Sequence, residues 1–100
     1  MKLDYSTDKL KKEILGIIGI YLDLSKYKVF FFGSRVDGSA SDFSDIDVGI
    51  EGSEKIDDDT MFRIRNLLSA LPAHKVDVVD FKNVRQNFYD TAKQHIEYLN

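Results

Sequence analysis

The chain has 100 residues, a hydrophobic fraction of 43% and a formal net charge of −3. That combination describes one globular domain with one core; it excludes a disordered chain and argues against a general nucleic-acid binder, which would carry a basic stripe. No cysteine is present, which removes disulfides, thiolate zinc sites and cysteine nucleophiles together.

Met1 to Lys12 is charged and lacks the apolar run of a signal peptide. A first helix is expected from about Thr7 to Leu24, with Leu10, Ile14, Ile17, Ile18, Tyr21 and Leu22 at helical spacing and Ser6 or Thr7 as its cap. Gly16 and Gly19 cost helix propensity and suggest close packing on a sheet. They also break the longest apolar stretch, Ile14 to Leu22, which is too short to span a bilayer. The expectation is a soluble, cytoplasmic protein with no membrane association. Lys9, Lys11 and Lys12 read as a solvated helix face, so nucleic acid is an unlikely partner.

Lys28 to Phe32 reads as a short strand stopped by Gly33, and Arg35 to Phe43 as a loop. A second strand is expected from about Asp45 to Glu51. Asp57, Asp58 and Asp59 then open a second long helix, where carboxylates favour the positive end of the dipole. Its apolar positions are Met61, Phe62, Ile64, Leu67, Leu68 and Leu71, and Pro72 closes it. Lys75 to Phe81 alternates into a third strand. Asn83 is positioned to cap a last helix, with Val84, Phe88, Thr91, His95 and Tyr98 near one face. The fold class is therefore α+β, a small mixed sheet covered by helices.

The informative segment runs from Phe32-Gly33-Ser34-Arg35 to Ser44-Asp45-Ile46-Asp47-Val48. Side chains alternate along a strand, so Asp45 and Asp47 share one face, about 7 Å apart, while Ile46, Val48 and Ile50 take the other. Paired carboxylates on an apolar strand are costly unless a cation lies between them, and Mg²⁺ suits their hard oxygens. Asp77 breaks the β-branched run Val76-Asp77-Val78-Val79 and shares the face of Val79. If the two strands are neighbours, three carboxylates converge and can hold two metals roughly 3.5–4 Å apart, a clamp for in-line displacement at phosphorus. One ion would carry a nucleotide's phosphates, with Asp77 as ligand or base near the other. Gly33 at a strand end lets backbone approach phosphate, Ser34 adds a hydroxyl donor, and the following amides can form an anion nest.

This ordered combination resembles the DNA polymerase β-like nucleotidyltransferase superfamily, especially its minimal single-domain prokaryotic members, which carry Phe-Gly-Ser-Arg, a glycine and then Ser-Asp-x-Asp. The resemblance runs from about Tyr27 to Phe81. It implies a polymerase β palm-like fold, Gly33, Ser34 and Arg35 on the nucleotide, and Asp45, Asp47 and Asp77 as the metal-binding, catalytic carboxylates. One departure is Asp37-Gly38, where many members have Arg-Gly; Arg35 is the substitute within reach in sequence. The resemblance further implies Mg²⁺ and ATP, and transfer of AMP to a tyrosine of a small helical HEPN-type partner, in a toxin–antitoxin pair or another oligomer. The competing readings are a contact antitoxin with little turnover and a transferase acting on small molecules such as aminoglycosides. His74 reads as a turn residue, His95 as a helix residue and Asp80 as a surface charge at a strand end. Phe88, Tyr89 and Tyr98 read as core or partner contacts.

Overall fold

The computed structural model describes residues 7–33, 46–71 and 75–100. Helix α1 (Thr7–Tyr21) leads into β1 (Tyr27–Phe32), followed by β2 (Ile46–Gly52), α2 (Asp58–Ser69) and β3 (Val76–Asp80). A 3₁₀ turn (Phe81–Asn83), α3 (Gln86–Ala92) and a two-residue β4 (Glu97–Tyr98) complete the order. The strands form one mixed sheet in the order β3-β2-β1-β4. β1 is antiparallel to β2 and β4, while β2 and β3 run parallel with α2 between them in sequence. The expected α+β class is what the chain adopts.

Strand alternation divides the sheet into two unlike faces. One carries Val29, Phe31, Ile46, Val48, Ile50, Val76 and Val78, which pack with Leu10, Ile14 and Ile18 of α1 and Met61, Ile64 and Leu68 of α2. These positions recur every three or four residues in each helix, so each presents one apolar stripe to the sheet. The other face holds a smaller aromatic cluster of Phe30, Phe32 and Phe81, against which Tyr89, Ala92 and Ile96 rest. Phe81 meets Phe30 and Phe32 edge to face, with ring centroids 4.8 and 5.0 Å away. Gly49 makes room for this crossing, since a β-carbon there would come within 2.7 Å of the Phe81 ring.

Several boundaries differ from the sequence expectation for identifiable reasons. α1 stops at Tyr21 because Asp23 turns the chain, its Oδ1 accepting from the Ser25 amide (2.9 Å) and hydroxyl (2.7 Å). Gly16 meets nothing that a β-carbon would touch and Gly19 meets only Leu24, so neither glycine packs on the sheet. α2 begins as expected: Asp57 caps it by accepting from the Thr60 amide at 3.0 Å. Phe62 and Leu67, expected on its apolar stripe, are exposed. The expected last helix is instead the 3₁₀ turn, a seven-residue α3 and β4, so His95 lies beyond the helix and Tyr98 lies in a strand. Asn83 ends the 3₁₀ turn, and Arg85 occupies the cap position of α3. β4 is held by Asn100, whose Oδ1 accepts from Val29 N and whose Nδ2 donates to the carbonyls of Leu24 and Tyr27.

Asp80 is the clearest correction. It is buried, with 8% of its surface exposed. Its Oδ2 accepts from Ile56 N (2.8 Å) and its Oδ1 from Lys82 N (2.9 Å). A buried carboxylate requires such donors. Asp80 joins the loop after β2 to the 3₁₀ turn after β3.

Candidate active site

The face that carries the aromatic cluster also carries the carboxylates. In the parallel β2–β3 ladder Asp47 stands directly opposite Asp77, and in the antiparallel β1–β2 ladder it stands opposite Phe32. Residues in register point to the same face, so Asp47 and Asp77 lie side by side on strands about 4.8 Å apart. Asp47 is half-buried and Asp77 is exposed.

β1 ends at Phe32, and Gly33 turns the chain with φ 78°, a left-handed conformation natural to glycine. A β-carbon at Gly33 would overlap Oδ2 of Asp47. The turn therefore passes close against that carboxylate, and any side chain here would force the carboxylate aside. Gly33, Asp47 and Asp77 thus form a continuous surface across three strands. Ser34, Arg35, Asp37 and Asp45 lie outside the described residues, as does the turn reading of His74.

Asp47 and Asp77 are a donor pair suited to a hard divalent cation, since both present carboxylate oxygen and Asp77 is open to water and phosphate. Among the described residues no cluster of three or more His, Cys, Asp or Glu side chains forms.

Further along this face is a network that the sequence reading missed. Lys93 Nζ donates to Glu51 Oε1 at 2.7 Å, and the Tyr89 hydroxyl donates to Glu51 Oε2. Burial pushes the Glu51 carboxyl up, but the bonds from Lys93 and Tyr89 outweigh it and hold its pKa below the ordinary glutamate value. The Glu51 bond raises the Tyr89 phenol. Burial lowers Lys93, yet its bond and attraction to Glu51 leave it raised overall. The network ties α3 to β2. Its signal was available in principle, because Asp47, Gly49 and Glu51 alternate onto one face.

A groove of about 290 Å³ opens beside Gly33, between the end of β1 and α3, lined by Phe32, Gly33, Phe88, Ala92, Gln94 and His95. Among the described residues, no helix is long and apolar enough to cross a membrane.

The mixed four-stranded sheet covered by helices is a nucleotidyltransferase fold. A family model described as polymerase beta, nucleotidyltransferase, matches residues 19–99, and the chain belongs to that nucleotidyltransferase family. It is 32% identical over 89 residues to the probable protein adenylyltransferase MntA of Haemophilus influenzae, covering 85% of this chain and 77% of that protein. Its fold is similar to a crystal structure of a toxin–antitoxin with AMP-PNP (TM-score 0.75, 19% identity, 90% of this chain and 72% of the other). It is also similar to a complex of tri-AMPylated Shewanella oneidensis HEPN toxin with its MNT antitoxin (TM-score 0.70, 17% identity, 91% and 69%).

Proposed function

We propose that this chain transfers AMP from ATP to a tyrosine hydroxyl of a HEPN-type partner protein, in a Mg²⁺-dependent reaction in the cytoplasm. The observation that carries this reading is the pairing of Asp47 with Asp77 on one sheet face, under the Gly33 turn. The named activity of the Haemophilus relative and the AMPylated toxin in the Shewanella complex support the choice of AMP and of a protein acceptor.

Asp47 and Asp77, with Asp45, would hold the metal, and Gly33, Ser34 and Arg35 would hold the phosphates. When bound, Mg²⁺ supplies neutralisation of phosphate charge and acidifies an incoming hydroxyl. The acceptor oxygen attacks the α-phosphorus, the bond from that phosphorus to the bridging oxygen breaks, and pyrophosphate leaves in line. Asp77, which is exposed, would take the proton of the acceptor hydroxyl. The lack of a side chain at Gly33 leaves the Asp47 carboxylate undisturbed and would let backbone approach the phosphates.

The test is label transfer from α-labelled ATP and Mg²⁺ to proteins of the host lysate, with Asp47→Asn as control. A small protein labelled by the wild type and not by Asp47→Asn is the expected result. Absence of protein labelling with all four nucleotides would remove the protein-modifying reading and leave a small-molecule acceptor or a contact role.

A further inference from the structure

We propose that the groove between the end of β1 and α3 seats the adenine and ribose of ATP, with Phe88 as the stacking surface. This rests on the nucleotidyltransferase reading and adds to it where the base lies and which residues select it.

The first argument is continuity. Gly33 borders the groove and also passes over the Asp47 carboxylate. A nucleotide whose phosphates lay against Gly33 and Asp47 would have this groove within reach of its sugar and base. Size is the second argument. About 290 Å³ is at the lower end of small-molecule sites, enough for a nucleoside and too little for the triphosphate as well.

The lining supplies the chemistry. Phe88 is 41% exposed although its ring contacts Phe32 and Phe81 at centroid distances of 6.0 and 5.7 Å. A large apolar ring left open beside a polar site is a stacking platform for a base. Gln94 and His95 add hydrogen-bonding groups to the lining. A glutamine amide both donates and accepts, the pattern that adenine N7 and N6 complement. α3, which carries Phe88 and Ala92, buries none of its own residues; the Tyr89 and Lys93 bonds to Glu51 fasten it to β2, and the Phe88 ring contact with Phe32 sets it against the end of β1.

The test begins with calorimetric titration of ATP and of inorganic tripolyphosphate, each with Mg²⁺, into the wild type, Phe88→Ala, the groove-filling Ala92→Leu and Asp47→Asn. Both groove variants are expected to bind ATP about tenfold or more weakly while tripolyphosphate binding is unchanged. Asp47→Asn should weaken both ligands. In parallel, 8-azido-ATP should photolabel the wild type within residues 86–95, an outcome independent of variant folding. Wild-type affinity for ATP in folded Phe88→Ala and Ala92→Leu, or labelling confined to other segments, would overturn the groove while leaving the nucleotidyltransferase reading standing. A wild type that binds neither ligand would overturn both.

Discussion

Gly33 lies so close to Asp47 that a single added methyl group would come within 2.4 Å of the Asp47 Oδ2 oxygen. The strand end and the carboxylate are therefore built as one unit. The positive φ of Gly33 adds a second reason for glycine, independent of the space. Gly33→Ala is expected to destabilise the fold by about 1–2 kcal/mol. It should also abolish label transfer, because Asp47 must move to admit the methyl group. Urea unfolding together with the transfer assay checks both effects. An alanine variant with wild-type activity would show that the turn does not constrain the carboxylate.

The Asp47–Asp77 pairing predicts a metal response readable without substrate. Mg²⁺ should raise the unfolding free energy of the wild type by about 2.7 kcal/mol at a hundredfold excess over its dissociation constant. The Asp47→Asn/Asp77→Asn double variant should show no such shift. An equal shift in both proteins would place the cation elsewhere.

The Glu51 network gives a pH prediction. Glu51 has a depressed pKa in the folded state, so its contribution is present above the unfolded value near 4.5 and is lost as pH falls through the lower folded value. Lys93 has a raised pKa, so its contribution is present below the unfolded value near 10.5 and is lost as pH rises through the higher folded one. Glu51→Gln should therefore narrow the stability difference from wild type below about pH 4.5 and widen it across the neutral range. Parallel thermal melts of the two proteins from pH 3 to pH 8 would show it. A constant difference across that range would mean that the ion pair contributes nothing.

Asp80 should behave as a structural carboxylate. Asp80→Ala leaves the buried Ile56 amide without its acceptor, a loss of about 1–3 kcal/mol. Urea unfolding measures it, and a loss below about 0.5 kcal/mol, the size of an ordinary surface substitution, would contradict the buried role.

Asn100 should act locally. Asn100→Ala removes the acceptor of the Val29 amide and the donor to two carbonyls. Hydrogen exchange is expected to rise at Val29 and Leu99, whose amide bonds to Val29 O at 2.8 Å. Ile46, whose amide is bonded to Lys75 O on the far side of the sheet, should stay protected. Uniform loss of protection would show that β4 is coupled to the whole sheet.

The amino-acid sequence by itself determined the elements with strong periodicity and the strand faces that carry Asp47 and Asp77. The spacing of Leu10, Ile14 and Ile18 specifies the buried face of α1, and Asp57 to Asp59 mark the start of α2. Strand alternation alone separated Asp47 from Val48, and Asp77 from Val78. Local geometry sufficed for each of these, since period and capping depend only on near neighbours in the chain. Register was beyond it. That Asp47 faces Asp77 follows from the parallel pairing of β2 with β3, and that Gly33 closes on Asp47 follows from the antiparallel pairing of β1 with β2.

The C-terminal quarter was misread for the same reason. Phe88 and Tyr98 fit one helical stripe, yet β1 offers an edge at which Glu97 and Tyr98 pair, and Asn100 fastens them there. Asp80 looked like a surface charge because its donors, the amides of Ile56 and Lys82, are supplied by loop geometry. Glu51 likewise gained its role only when α3 brought Tyr89 and Lys93 across the sheet. Contacts between residues distant in the chain depend on how layers pack, and only the tertiary structure decides them.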